Sequence, residues 1–147
     1  MKIEGSYDVK ADRGRVWAAL LDPEMLTKTM PGCEKLEEVG PGRYKATLTV
    51  GIAAVQGTYE GRVELSDLHP PARYKMAVEG SGSPGFVRGD AVMDLSDVEG
   101  GTRVSFTADI QGGGLIAGVG QRLIGGVAKM LADQFFSRMA ERIQGGP

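Results

Sequence analysis

Four tyrosines are the side chains best placed to do chemistry in this sequence. Tyr7, Tyr44, Tyr59 and Tyr74 all fall on the inward register of strand-like runs. A buried phenol is either a core aromatic whose hydroxyl reaches the rim or a polar handle for the head group of a bound molecule. The other reactive residue types offer less. His69 is the only histidine and stands in the turn His69-Pro70-Pro71, where a solvated side chain is expected rather than a general base. Cys33 follows Pro31-Gly32 without a histidine to activate it and reads as a small buried side chain. A single cysteine makes neither an internal disulfide nor an all-cysteine zinc site. Acidic residues alternate outward with basic ones, as in Glu60-Gly61-Arg62-Val63-Glu64, and metal-ligand spacing is missing. Gly112-Gly113-Gly114 precedes a helical segment but lacks the lysine and hydroxyl of a phosphate-binding loop, so it reads as a hinge. Binding, not catalysis, is the expected chemistry.

The elements that must position these tyrosines follow from hydrophobic periodicity. Lys2–Lys10 alternates Ile3, Gly5, Tyr7 and Val9 inward. Asp12 can cap a helix through Leu21, and Asp22-Pro23-Glu24 restarts one that stops at Met30-Pro31-Gly32. A strand meander follows: Glu34–Val39, Arg43–Ile52, Thr58–Leu65, Arg73–Glu79, Val87–Leu95 and Thr102–Ile110, with Gly80–Pro84 as a loose loop. The chain closes on a helical segment in which Leu115, Val119, Leu123, Val127, Leu131, Phe135, Met139 and Ile143 recur every four residues. The order β-αα-β6-α predicts an α+β helix-grip fold, a curved antiparallel sheet wrapped around one long C-terminal helix.

Bulk properties agree with a soluble binding module. The 147 residues suit one domain spanning 1–147, and 41% apolar with 24% charged residues is ordinary. A net charge of -2 gives no basis for a nucleic-acid partner. Met1 leads directly into the first alternating run and no long apolar stretch occurs, so neither a signal peptide nor a bilayer span is expected and the cytoplasm is the expected location.

The inward face is crowded with small residues: Gly5, Ala46, Gly61, Gly89, Ala91 and Ala108. Strand-interior glycine marks a bend or a close approach, and so many small residues opposite one helix leave volume that native interiors rarely tolerate empty. A hydrophobic cavity is expected. Its lining is assigned to Tyr44, Leu48, Tyr59, Val63, Tyr74, Met76, Val87, Ala91 and Phe106 of the sheet, with Val119, Leu123, Val127 and Leu131 of the helix. A spacing of four drifts about 40° per step against the helical period, so the stripe winds around the helix. Gly118, Gly120, Gly125 and Gly126 each cost about 1 kcal/mol against Ala inside a helix. Mobility of this segment and of Gly80–Phe86 is expected to control access, with Gly82, Pro84, Phe86, Gly125 and Gly126 as the gate.

Several motifs carry a family resemblance. They are Asp22-Pro23-Glu24-Met25-Leu26, Met30-Pro31-Gly32-Cys33, Gly57-Thr58-Tyr59-Glu60-Gly61 and Gly85-Phe86-Val87-Arg88-Gly89-Asp90, followed by the helix Gly120–Lys129 and Leu131–Phe136. In order, along essentially the whole chain, they resemble the carbon monoxide dehydrogenase CoxG family of the START-like SRPBCC superfamily. That resemblance implies a helix-grip fold with a hydrophobic pocket. It also implies a non-catalytic accessory of a molybdenum-containing CO dehydrogenase or related hydroxylase. The implied tenant is a membrane quinone or other lipid, with no covalent cofactor, and the implied location is cytoplasmic with peripheral contact at the inner face of the cell membrane. Longer members extend past the last helix with a tail proposed to engage the membrane, whereas this sequence ends at Gln144-Gly145-Gly146-Pro147. Arg138 and Arg142 are an alternative contact surface. Two further readings stand beside this one: a ligand-free adaptor or co-chaperone for the dehydrogenase, and a START-like enzyme acting on a hydrophobic substrate.

Overall fold

A computed structural model describes residues 1–52, 55–114, 118 and 120–145. Leu115 and Val119 of the expected helical stripe lie outside them, as do the last two residues of the chain. The order of elements is β1 (Lys2–Val9), α1 (Arg13–Leu21), α2 (Pro23–Thr29), β2 (Cys33–Gly40), β3 (Arg43–Val50), β4 (Gly57–His69), β5 (Arg73–Gly82), β6 (Gly85–Val98), β7 (Gly101–Gly113) and α3 (Gln121–Gln144). The seven strands form one antiparallel sheet in the order β1-β7-β6-β5-β4-β3-β2. This is the expected β-αα-β6-α arrangement, with α3 packed against the concave face.

Local chemistry sets the first helices. The Asp12 carboxylate accepts from the Arg15 N–H at 2.8 Å, and the Asp22 carboxylate accepts from the Glu24 N–H at 3.1 Å, so each helix starts with an occupied cap. Pro23 opens α2, where its missing N–H leaves nothing unpaired.

The meander is more continuous than its turn residues suggest. Gly80–Gly82 remain in β5 and pair with β6 as far as Gly82 opposite Gly85, so the expected loose loop is a tight hairpin around Ser83-Pro84. Gly112 and Gly113 likewise remain in β7, opposite Val87 and Phe86. Ladder hydrogen bonds need no side chain, so paired neighbours overrode a local signal for a loop. At Gly82 the strands approach so closely that a Cβ would lie 2.3 Å from the Thr58 carbonyl oxygen.

The two ends of the molecule are filled differently. At the end holding α1 and the C-terminal turns of α3, Val9, Val16, Leu20, Tyr74, Met93, Leu95, Val104, Phe136, Met139 and Ile143 make the main core. At the opposite end Val55 and Tyr59 form a small plug with Val50, Ile52, Val87, Ile124 and Val127.

Helix α3 also corrects the expected stripe. Its buried and half-buried face steps by three and four alternately, through Ile124, Val127, Ala128, Leu131, Ala132, Phe135, Phe136, Met139 and Ile143. Two steps of four back from Leu131 turn about 80° off that face. Leu123 consequently points to solvent and is 44% exposed, and Ile124 takes the inward place. Replacing Met139 (1% exposed) with Ala should lower unfolding free energy by about 2–5 kcal/mol in chemical denaturation. Leu123→Ala should stay within about 0.5 kcal/mol, and a larger loss there would return Leu123 to the interior.

Candidate ligand cavity

Between the sheet and α3 lies a cavity of about 460 Å³. Its size falls within the roughly 300–1,000 Å³ of pockets that enclose small organic ligands. The reason it is there is the row of small residues across the middle strands. Ala46, Gly61, Gly89, Ala91 and Ala108 line it where larger side chains would meet α3. Gly5 does something different: a Cβ there would sit 2.7 Å from the Phe106 ring, so its smallness lets Phe106 lie flat against β1.

Most of the residues expected to line the cavity do so. Tyr44 and Leu48 reach it from β3, Tyr59 and Val63 from β4, Tyr74 and Met76 from β5, Val87 and Ala91 from β6, and Phe106 from β7. Val127 and Leu131 reach it from α3, whereas exposed Leu123 does not and Val119 lies outside the described residues. Sequence reasoning left out Ile124 and Ala128, whose signal was the alternating three–four step of the helix. Leu20, Leu26, Met30 and Pro31, in and just after the two short helices, were likewise not expected there and close one wall of the cavity.

The expected gate residues sit around the plug end without lining the cavity. Pro84 packs over Gly57, where a Cβ would lie 2.9 Å from its ring. Phe86 points to the outer face of the sheet, 45% exposed, with its ring against Gly113. Gly125 accommodates the Met1 thioether, while Gly126 borders open space. Gly82 holds the close strand crossing described above. At this end the Tyr59 hydroxyl donates to the Val55 carbonyl at 2.6 Å, and both residues pack against Ile124 and Val127.

The remaining phenols divide by partner. Tyr44 donates to the Leu21 carbonyl at 3.0 Å, tying β3 to the turn between α1 and α2. Tyr7 donates to the Asp133 carboxylate and thereby ties β1 to α3. Tyr74 lies deepest, 3% exposed, with the Trp17 ring edge-on at 5.2 Å. Burial pushes the Tyr74 phenol well above its ordinary pKa, with Tyr44 adding to the effect, so it is a neutral O–H donor. Burial also raises Tyr59 and Tyr44, the latter helped by Glu38 and Asp22.

The rest of the chemistry is quiet. Burial raises the Cys33 thiol, whose hydrogen bond goes to the Lys35 carbonyl, and His69 is exposed. Among the described residues no group of three His, Cys, Asp or Glu side chains is placed to hold a metal ion, and no helix is long and apolar enough to cross a membrane. The three charged residues along the cavity wall, Arg62, Glu79 and Asp90, are exposed, leaving an interior without a buried charge.

Comparison with known proteins gives this cavity a context. Residues 5–144 match the family of the CoxG subunit of carbon monoxide dehydrogenase. The chain belongs to that family. CoxG is an accessory, non-catalytic subunit of carbon monoxide dehydrogenase, so association with that enzyme goes with the family. The chain is similar to a conserved protein from Geobacillus kaustophilus, with 40% identity over 99% of this chain and 96% of that one and a TM-score of 0.94. A protein from Chromobacterium violaceum shares 18% identity over 97% and 96% of the two chains with a TM-score of 0.75. Ara h 8.0201 shares 15% identity over 99% of each chain with a TM-score of 0.73. These last two show the helix-grip fold, common to Bet v1-like and START-like proteins. No curated protein matches the sequence.

The Tyr59 latch generates a kinetic prediction. Tyr59→Phe removes one hydrogen bond, about 1 kcal/mol, and leaves the ring in place. Release of an apolar fluorescent probe, followed by stopped flow, should then speed up about fivefold. An unchanged rate would mean that the Val55 segment does not control access.

Proposed function

We propose that this CoxG-family protein takes an apolar molecule, a membrane quinone or related lipid, into its cavity and so links a molybdenum-containing CO dehydrogenase or related hydroxylase to the membrane and its respiratory chain. The observation that carries the reading is the cavity itself. About 460 Å³ of apolar-lined space stands between the sheet and α3, and native proteins seldom leave such volume without an occupant. Water is a poor filler, because it needs two to four polar partners and the lining supplies few. An isoprenoid tail needs none, and its burial contributes roughly 25 cal/mol per Å². The protein's part is to shield the molecule from water and release it to the dehydrogenase, which does the redox chemistry. Peripheral contact with the membrane suits such a carrier.

The test is native mass spectrometry with organic extraction on protein from a quinone-producing host. A stoichiometric isoprenoid quinone is expected, and protein that stays unliganded when offered quinones would sink the proposal. A second variant isolates the cavity. Ala91 faces it between Met76 and Ala108 on the neighbouring strands. Ala91→Phe should occupy the space, melt at or above the wild-type temperature, and retain less than about a tenth of the extracted quinone.

A further inference from the structure

The four phenols differ in one respect that bears on what the cavity accepts. The hydroxyls of Tyr7, Tyr44 and Tyr59 are engaged by Asp133, Leu21 and Val55. The Tyr74 hydroxyl makes no hydrogen bond to any described residue, although the residue is only 3% exposed. Among the described residues, no fully closed-off side-chain oxygen or nitrogen lacks a partner. The Tyr74 oxygen therefore keeps accessible surface, and the surface that this deeply buried side chain borders is the cavity. The ring cannot easily swing away, because Trp17 holds it edge-on and Leu20 and Met93 belong to the same core cluster.

Among the described residues no protein group accepts the Tyr74 hydroxyl's hydrogen bond, so an acceptor on a bound molecule would complete it. The hydroxyl also lies at the filled end of the molecule, opposite the plug of Val55, Tyr59 and Ile124. The lining phenol that has no partner among the described residues is thus at the cavity's floor, and the plug, whose Tyr59 hydroxyl is engaged, is at its roof.

We propose that the Tyr74 hydroxyl is the head-group donor of this cavity: it donates a hydrogen bond to a neutral carbonyl oxygen of a tailed amphiphile that binds head first, with its hydrocarbon tail running toward Val55 and Ile124. The proposal rests on the cavity holding an apolar ligand, as argued above, and adds the ligand's polarity and direction. A carboxylate or phosphate head fits poorly, because no buried cation waits on the lining to compensate its desolvation. A quinone supplies the required acceptor without a charge.

The experiment compares decylubiquinone with dodecylbenzene, which keeps the tail and ring but lacks carbonyls, on wild-type protein and Tyr74→Phe by displacement of an apolar fluorophore. Tyr74→Phe should weaken decylubiquinone about fivefold, the loss of one net hydrogen bond, and leave dodecylbenzene within about twofold. The ligand-free variant should melt no lower than wild type, whereas a hydroxyl with a structural role would lower it. Equal losses for both probes, or no loss for the quinone, would overturn the assignment while the cavity reading stands. Wild-type protein that binds neither probe would take both down. Infrared spectra of quinone bound to wild-type protein give a check independent of the variant: one carbonyl stretch should shift to lower wavenumber, and an unshifted pair would overturn the proposal.

Discussion

The stack of Tyr7, Phe106 and Phe136 decides where the long helix crosses the sheet. Tyr7 and Phe136 lie 4.4 Å apart and nearly parallel, and Phe106 continues the layer 6.0 Å from Phe136. Gly5 makes room for it by letting Phe106 lie flat. Polar ties reinforce the same end: Tyr7 donates to Asp133, Lys10 N–H to the Gln144 side chain and Arg15 to the Ile143 carbonyl. With the C-terminal half of α3 held there, its N-terminal half must extend over the middle strands at a distance set by the aromatic layer. Small residues on those strands cannot fill that distance, and the cavity results.

Core and cavity share a boundary. Large side chains gather at the end where α1, α2 and the end of α3 meet, and Leu20, Tyr74, Met93, Phe106 and Phe136 belong both to that core and to the cavity lining, with the plug at the far end. The plug is a small cluster joined by one hydrogen bond to Tyr59, which makes it the more easily opened end. Charged side chains are kept to the outer face in cross-strand pairs such as Arg103 with Asp8 and Arg43 with Glu64, exposed pairs that contribute little to stability but keep the interior neutral.

Much of this was legible from residue order. Two-residue alternation placed Tyr44, Leu48, Tyr59, Val63, Tyr74 and Met76 inward because strand pairing preserves the side-chain period. Asp12 and Asp22 marked helix starts because capping is a local interaction. Legibility failed where local signals meet long-range ones. Gly80–Gly82 and Gly112–Gly113 looked like loops yet lie in strands, because their ladder partners are supplied by distant residues. Leu123 was placed inward by extending a four-residue step whose drift accumulates, when three-dimensional packing selects the alternating step through Ile124.

The amino-acid order by itself determined the sequence of elements, the inward register of the strands and the membership of the CoxG family, because periodicity, caps and motifs are properties of neighbouring residues. Only the tertiary structure decided which tyrosine hydroxyls are engaged. Their partners, Asp133, Leu21 and Val55, lie on other elements or an intervening segment, and no spacing rule relates them to the strands. It likewise decided that Phe86, expected at the gate, packs on the outer face against Gly113, since the pairing of β6 with β7 sets what lies beside it. Hydrogen-bond partnership and enclosed volume depend on distances between chain segments, and those distances exist only once the helix has been fastened across the sheet.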